Sequence, residues 1–449
     1  MNTHLWLGLY VIPLVSPDSH RLSVRLTSKR VGALAILLIV FGAIIFVAIP
    51  LVNKQPEPTL AGVTLNEKTA LLYPVSTIFA VENTTGKDDG INRLINLMGN
   101  DGTNFYQSQT AAKNQGPDGI VGIEDVILIK VNSQWDERGG TNTDLLKSVI
   151  RAIINHPDGF RGEIIVADNG QAQYGPTGSG GSLAWSANNA EDTAQSVQRV
   201  VDSFAQTHKV STYSWDTITT RQVSEYSEGD TSDGYVVNTT KNPGTGIMVS
   251  YPKFKTKYGT HVSFKMGIWH PEKKTYNDSI LKVINMPVLK THGGLGVTAS
   301  VKHYMGVVSD RLTSQLGTRS HNTIQTGGMG TEMVETRFPV LNIVDAIWVN
   351  AQPNSGPRST YATATRANII AASTDPAALD YWASKQILLQ VAKNKGFTNT
   401  SPMDPDNTAT GSFGHWLRLS AQEMTKAGKQ ATVDEAHMTV YVSHYRTSP

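Results

Sequence analysis

Ile280-Leu-Lys-Val-Ile-Asn-Met-Pro-Val-Leu-Lys290-Thr-His292-Gly-Gly-Leu-Gly-Val-Thr-Ala-Ser-Val-Lys302-His303-Tyr-Met-Gly306 is the most informative stretch of the chain. It opens on an apolar, β-branched run that reads as a buried strand ending at Leu289, and polar groups follow at once. Lys290 and His292 are two residues apart, so in extended backbone they point to the same side. Gly293, Gly294 and Gly296 then allow a tight turn or a close approach to a ligand. Ala299 to Val307 reads as helical and carries Lys302 and His303. Strand, glycine loop and helix N-terminus in this order predict an anion site, with backbone N–H groups backed by lysine charge. The spacing is not that of a Walker loop.

Working outward, similar apolar runs recur at Asp125–Lys130, Glu163–Ala167, Leu341–Asp345 and Ala367–Ala371, with a last one at Met438–Val442. Amphipathic stretches lie between them at Thr143–Asn155, Asp192–Thr207 and Ala377–Ala392. Near-continuous apolar strands alternating with helices predict an α/β fold, a mostly parallel sheet with helices on both faces. The Gly/Ser-rich stretch 170–189 and the Gly, Thr, Tyr and Lys-rich stretch 230–257 read as irregular insertions.

The N-terminal side has a different character. Val31 to Val52 is 22 residues without a charge, which as a helix spans roughly 33 Å, enough for a hydrocarbon core of about 30 Å. Arg21, Arg25, Lys29 and Arg30 precede it and only Lys54 follows closely. The positive-inside rule therefore leaves residues 1–30 cytoplasmic and the main domain extracytoplasmic. A cleaved signal peptide fits less well, because the apolar run is long and Ala48-Ile49-Pro50 is a poor cleavage site. The predicted layout is a cytoplasmic segment 1–30, a transmembrane helix 31–52 acting as signal-anchor, a linker 53–62 and an α/β domain 63–449.

Charge and cysteine content exclude several function classes. The chain of 449 residues has a net charge of +2, and residues 1–54 carry five basic residues against Asp18 alone. The remainder is slightly acidic and has no basic run, so no nucleic acid partner is expected. With no cysteine there is no disulfide framework and no cysteine-held iron–sulfur cluster. His292, His303 and His321 raise a metal question, but no HExxH or similar spacing accompanies them, and the sequence assigns neither metal nor cofactor. No G-x-S-x-G elbow marks a hydrolase nucleophile.

Other polar residues close apolar runs: Lys130 with Asn132, Asp345, and His321 in Arg319-Ser-His-Asn322. Asp375, just before Pro376, fits a helix cap. Taken in order, ILIKVN, GGTNTDLLKSVIRAI, EIIVADNG, VINMPVLKTH, SVKHYMG, RSH, LNIVDAIWVNAQPNSGP and IIAASTDPAALD resemble the family catalogued as domain of unknown function 362, over roughly residues 120–390. Lys130, Asn132, Thr143, Lys290, His292, Lys302, Gly306, His321, Asp345, Gly356, Asp375 and Asp380 lie on its recurring positions. This chain has Lys130-Val-Asn132 where the family usually has Lys-Pro-Asn, and Lys302-His303 where it usually has Lys-Asn. Many relatives carry ferredoxin-like cysteine clusters, and a redox role read from those does not transfer here.

The resemblance implies one site. Its expected members are His292, Lys290, Lys302 and Asp345 as catalytic groups, with Lys130, Asn132, Gly293, Gly294 and His321 binding the ligand. Two readings stay open: an enzyme acting on an anionic small molecule with His292 as general acid–base, or a tethered receptor or scaffold for an anionic ligand or envelope component. A deep cleft with an acid beside His292 favours the first.

Overall fold

The computed structural model describes residues 76–171, 181–192 and 194–444. The expected membrane span and spacer lie outside the described residues, and among the described residues no helix is long and apolar enough to cross a membrane.

A ten-stranded sheet organises the domain. In chain order its elements are β1 (Ser76–Glu82), α1 (Gly90–Asn100), β2 (Val126–Lys130), α2 (Thr143–Ile154), β3 (Glu163–Asp168), α3 (Val197–Phe204) and β4 (Val210–Ser214). There follow β5 (Leu281–Asn285), β6 (Val288–His292), β7 (Gly296–Thr298), α4 (Ser300–His303), α5 (Gly328–Glu335), β8 (Leu341–Asn350), β9 (Thr365–Ser373), α6 (Pro376–Ala383), α7 (Phe413–Lys426) and β10 (Met438–His444). The spatial order is β10-β1-β9-β8-β5-β2-β3-β4, with β6 pairing β8 and β7. Neighbours run parallel except where β9 meets β1 and β8 and where β7 meets β6. The sheet is therefore mixed, with a parallel centre.

Side chains of the central strands alternate between two cores, as a strand covered on both faces requires. Ile127, Ile129, Ile164 and Val166 join the core built with α1, α2 and α3. Leu128 and Ile165 face the opposite core with α5, α6 and α7. The helices show the matching stripe: α1 buries Ile91, Leu94, Ile95 and Met98, spaced to lie on one face. Asn142 caps α2 by accepting from Leu145 N.

Three expectations need correction. The stretch 230–257 is not irregular: Gly234–Val237 and Ser250–Lys255 belong to a five-stranded antiparallel sheet with His261–Ser263, Gly267–His270 and Thr275–Asn277. These strands are short and polar-rich, which hides them from a periodicity search. The run beginning at Ile280 does not end at Leu289. It breaks at Met286-Pro287, where proline supplies no N–H to a ladder, and resumes as β6. Lys290 and His292 are thus strand residues. Finally, the helix expected over 299–307 is one α turn, Ser300–His303, followed by a 3-10 turn, Tyr304–Gly306.

Candidate functional site

Strands β5, β2 and β3 run parallel and stop together, with Asn285 beside Lys130 and Lys130 beside Ala167. Their carboxyl ends face a cavity of about 410 Å³, the end of an open α/β sheet where ligands bind. Lys130, Lys290 and Lys302 all line it, with His292, His321, Asn132 and Arg319. Lys130 thus shares one cavity with two lysines more than a hundred residues further along the chain.

The three lysines are held differently. Lys130 Nζ donates to Asp168 Oδ1 at 2.7 Å, both side chains being buried. The other carboxylate oxygen of Asp168 accepts from Ser133 N at 2.7 Å. Burial lowers the Lys130 pKa and raises that of Asp168, and their mutual attraction opposes both shifts. Gly306 packs on this pair: a Cβ there would come 2.5 Å from Asp168 Oδ1 and 2.6 Å from Lys130 Nζ. Lys290 Nζ donates to the Gly139 carbonyl at 2.6 Å. Burial, with Lys302 adding repulsion and Asp168 and Asp345 opposing, holds it down at about 7. Lys302 is only 6% exposed, and among the described residues it has no hydrogen-bond or ion-pair partner. Burial pushes it down to about 7 against a weaker pull from Asp310.

The histidines are neutral. His292 Nδ1 lies 2.8 Å from the Gly293 carbonyl, and burial with Lys302 pushes the ring down to about 2. His321 is pushed to about 3 by burial, Lys302 and Arg319. The two rings sit 6.2 Å apart between centroids. His303 also lines the cavity, yet both its nitrogens are engaged inward, Nδ1 with Asn285 Oδ1 at 2.7 Å and Nε2 with Val131 O at 2.9 Å. Two acceptors favour a doubly protonated ring, whereas burial and Lys130 lower its pKa well below normal. Full burial beside three lysines makes the neutral ring the better assignment. Its contacts orient α4 rather than offer a ligand a free edge.

Not every expected member reaches the cavity. Asp345 lies behind Lys290, its carboxylate accepting from Asn142 N and Asn189 Nδ2 at 2.9 Å and from Ile347 N at 3.1 Å. Gly293 and Gly294 shape the β6–β7 turn outside the lining: Gly293 N donates to Gly356 O at 2.9 Å, and Gly294 adopts φ +72°. The N-terminus of α4 is no anion site, because Asp380 already accepts from Ser300 N at 2.6 Å and Val301 N at 2.8 Å. That carboxylate fixes the turn carrying Lys302. Asp375 caps α6 as expected. Asn132 does line the cavity, while its Oδ1 accepts from Val288 N and anchors the start of β6.

Sequence reasoning missed Asp168, Trp135 and Thr298, which also line the cavity. The signal for Asp168 was present: it closes an apolar strand, as Lys130 does. Thr298 sits opposite Lys290 in the β6–β7 ladder. Among the described residues, its Oγ1 and the Trp135 Nε1 are buried without a hydrogen-bond partner. No group of three or more His, Asp or Glu side chains there could hold a metal ion.

Residues 276–385 match the model of the family described as Domain of unknown function (DUF362). The match takes in Lys290, His292, Lys302, His321 and Asp345, while Lys130 and Asn132 precede it. No curated protein matches the chain.

Proposed function

We propose that the cavity binds a small anionic molecule through Lys302, Lys290 and Arg319, and that the protein acts on it chemically. One observation carries this reading: around a single cavity, Thr298 Oγ1 and Trp135 Nε1 are buried with no acceptor among the described residues, and the buried Lys302 lines the same cavity. Buried donors are ordinarily satisfied, and an anion supplies both the acceptors and the opposing charge. Lysines titrating near neutrality suit proton transfer or nucleophilic attack. His292 at about 2 serves instead as a neutral hydrogen-bonding ring, so the acid–base work falls to the lysines.

The receptor reading has its own support. His292 bonds a backbone carbonyl, and among the described residues no acid acts on it, so the constellation expected of a general acid–base is not built there. In either case we propose a membrane tether, with residues 31–52 as the anchor and the domain extracytoplasmic, on the uncharged span and the four basic residues before it. A phosphatase reporter placed after Pro449 is expected to be active; activity only from a cytoplasmic reporter reverses the topology.

Thermal unfolding of the full chain with phosphate, sulfate and citrate tests the binding claim. The midpoint is expected to rise with ligand charge, through preferential binding to the folded state. If no anion moves it, the reading fails.

A further inference from the structure

We propose that Lys302 is a nucleophilic amine that condenses with the carbonyl carbon of a small 2-oxo acid, whose carboxylate is held by Lys290 and Arg319. This rests on the anion-binding reading and narrows its ligand to carboxylates bearing an adjacent carbonyl.

The distinction among the three lysines carries the inference. Lys130 is committed to Asp168 and Lys290 to the Gly139 carbonyl. Lys302 alone lines the cavity, is buried, and is uncommitted among the described residues. A lysine becomes nucleophilic when an apolar, cation-rich setting keeps it neutral with its lone pair free. Around it the cavity holds two neutral imidazoles, His292 and His321, together with Lys290 and with Arg319, which pairs with Asp310 at 3.0 Å. Near-neutral titration of the amine agrees with that setting. The one-turn helix bearing Lys302 is pinned by Asp380, so the amine is presented from a fixed backbone. Thr298 Oγ1, lacking a partner, is available to donate to the carbonyl oxygen.

In the step, Nζ forms a bond to the carbonyl carbon and the C–O bond breaks. Both amine protons leave with the oxygen as water, giving a neutral imine. No oxidant, reductant or metal is consumed. Taking up one proton from water, the imine nitrogen becomes an iminium, which acts as an electron sink for a bond to the neighbouring carbon.

The test incubates the full chain with pyruvate and sodium borohydride, then maps lysine adducts by peptide mass spectrometry. The expected result is one reduced pyruvyl adduct, on Lys302, suppressed several-fold by excess citrate and lost in Lys302→Arg. Arginine keeps the charge but cannot form the imine. The citrate competition needs no variant and stands even if Lys302→Arg folds poorly. No adduct, or adducts spread over exposed lysines and unaffected by citrate, overturns the imine. If citrate still raises the wild-type Tm in that case, the anion site survives alone; if it does not, both readings fall.

Discussion

Two regions of this domain bury a lysine whose ammonium makes no hydrogen bond, and they treat it in opposite ways. In the five-stranded sheet, Lys253 is fully buried, lies over the Tyr226 ring at 4.3 Å and sits 3.6 Å from Asp230. Burial lowers its pKa, and Asp230 and Glu225 oppose the shift. Glu225 is itself fixed by the hydroxyls of Tyr251 and Tyr276, each at 2.8 Å. At the cavity, Lys302 faces two neutral imidazoles and another lysine, with only Asp310 offsetting its charge. The first arrangement neutralises a cation within the fold. The second leaves the cation to be neutralised by something that enters the cavity. Burial alone therefore does not set Lys302 apart; the weakness of the acid opposing its burial does.

The largest expected effect separates the compensated lysine Lys130 from the uncompensated ones. Asp168→Ala strands Lys130 beside two further lysines, and losing one partner of a buried pair costs about 3–5 kcal/mol. Chemical denaturation should show that loss. A change below about 1 kcal/mol would mean that the pair contributes little and that Asp168 is free for other work.

Lys302→Met should behave in the opposite way and leave stability near neutral pH unchanged or improved. The pH dependence fixes the sign. Lys290 and Lys302 have folded pKa values of about 7 against 10.5 unfolded. Below 7 both states hold the protons and the full penalty applies. From 7 to 10.5 the folded state has released them while the unfolded chain keeps them, so stability rises with pH across that window. Removing Lys302 should make the rise shallower by about half. An unchanged slope would place the titration elsewhere.

Lys253→Met sharpens the contrast from the other side. Replacing a buried ion-paired cation by an apolar chain of similar volume is often close to neutral, so a shift within about 1 kcal/mol is expected in Tm-derived stability. The response to citrate should be untouched. A lost citrate response would mean that the two regions are coupled and the comparison is wrong.

How much of this was legible in the sequence depends on periodicity. The central strands announce themselves through unbroken apolar runs; Lys130 and Lys290 stand out because each follows such a run, and Lys302 because it lies on the helical stretch after the glycine loop. The strands carrying Lys253 were not found. They are three to six residues long and mix Tyr, Lys and Gly, so neither period rises above background. Asp168 does not stand out because the apolar run closes at Ala167 and a Gly/Ser-rich stretch opens at Gly170, leaving it between the two. Asp345 misled in the reverse sense: the strand runs on to Asn350, so this acid lies in mid-strand rather than at its end, and it bonds Ile347 N. The helix N-terminus beside Lys302 looked open because Asp380, eighty residues later, is invisible to local reading.

Calorimetric titration of citrate into the full chain, in two buffers of different ionisation enthalpy at pH 8, tests the central claim most directly. If the cavity lysines are largely neutral until an anion arrives, binding must pull protons from the buffer. The predicted result is uptake of about one to two protons per anion, vanishing above pH 10 and reduced by about one in Lys302→Met. Binding without proton uptake, or uptake that Lys302→Met leaves unchanged, would contradict the account.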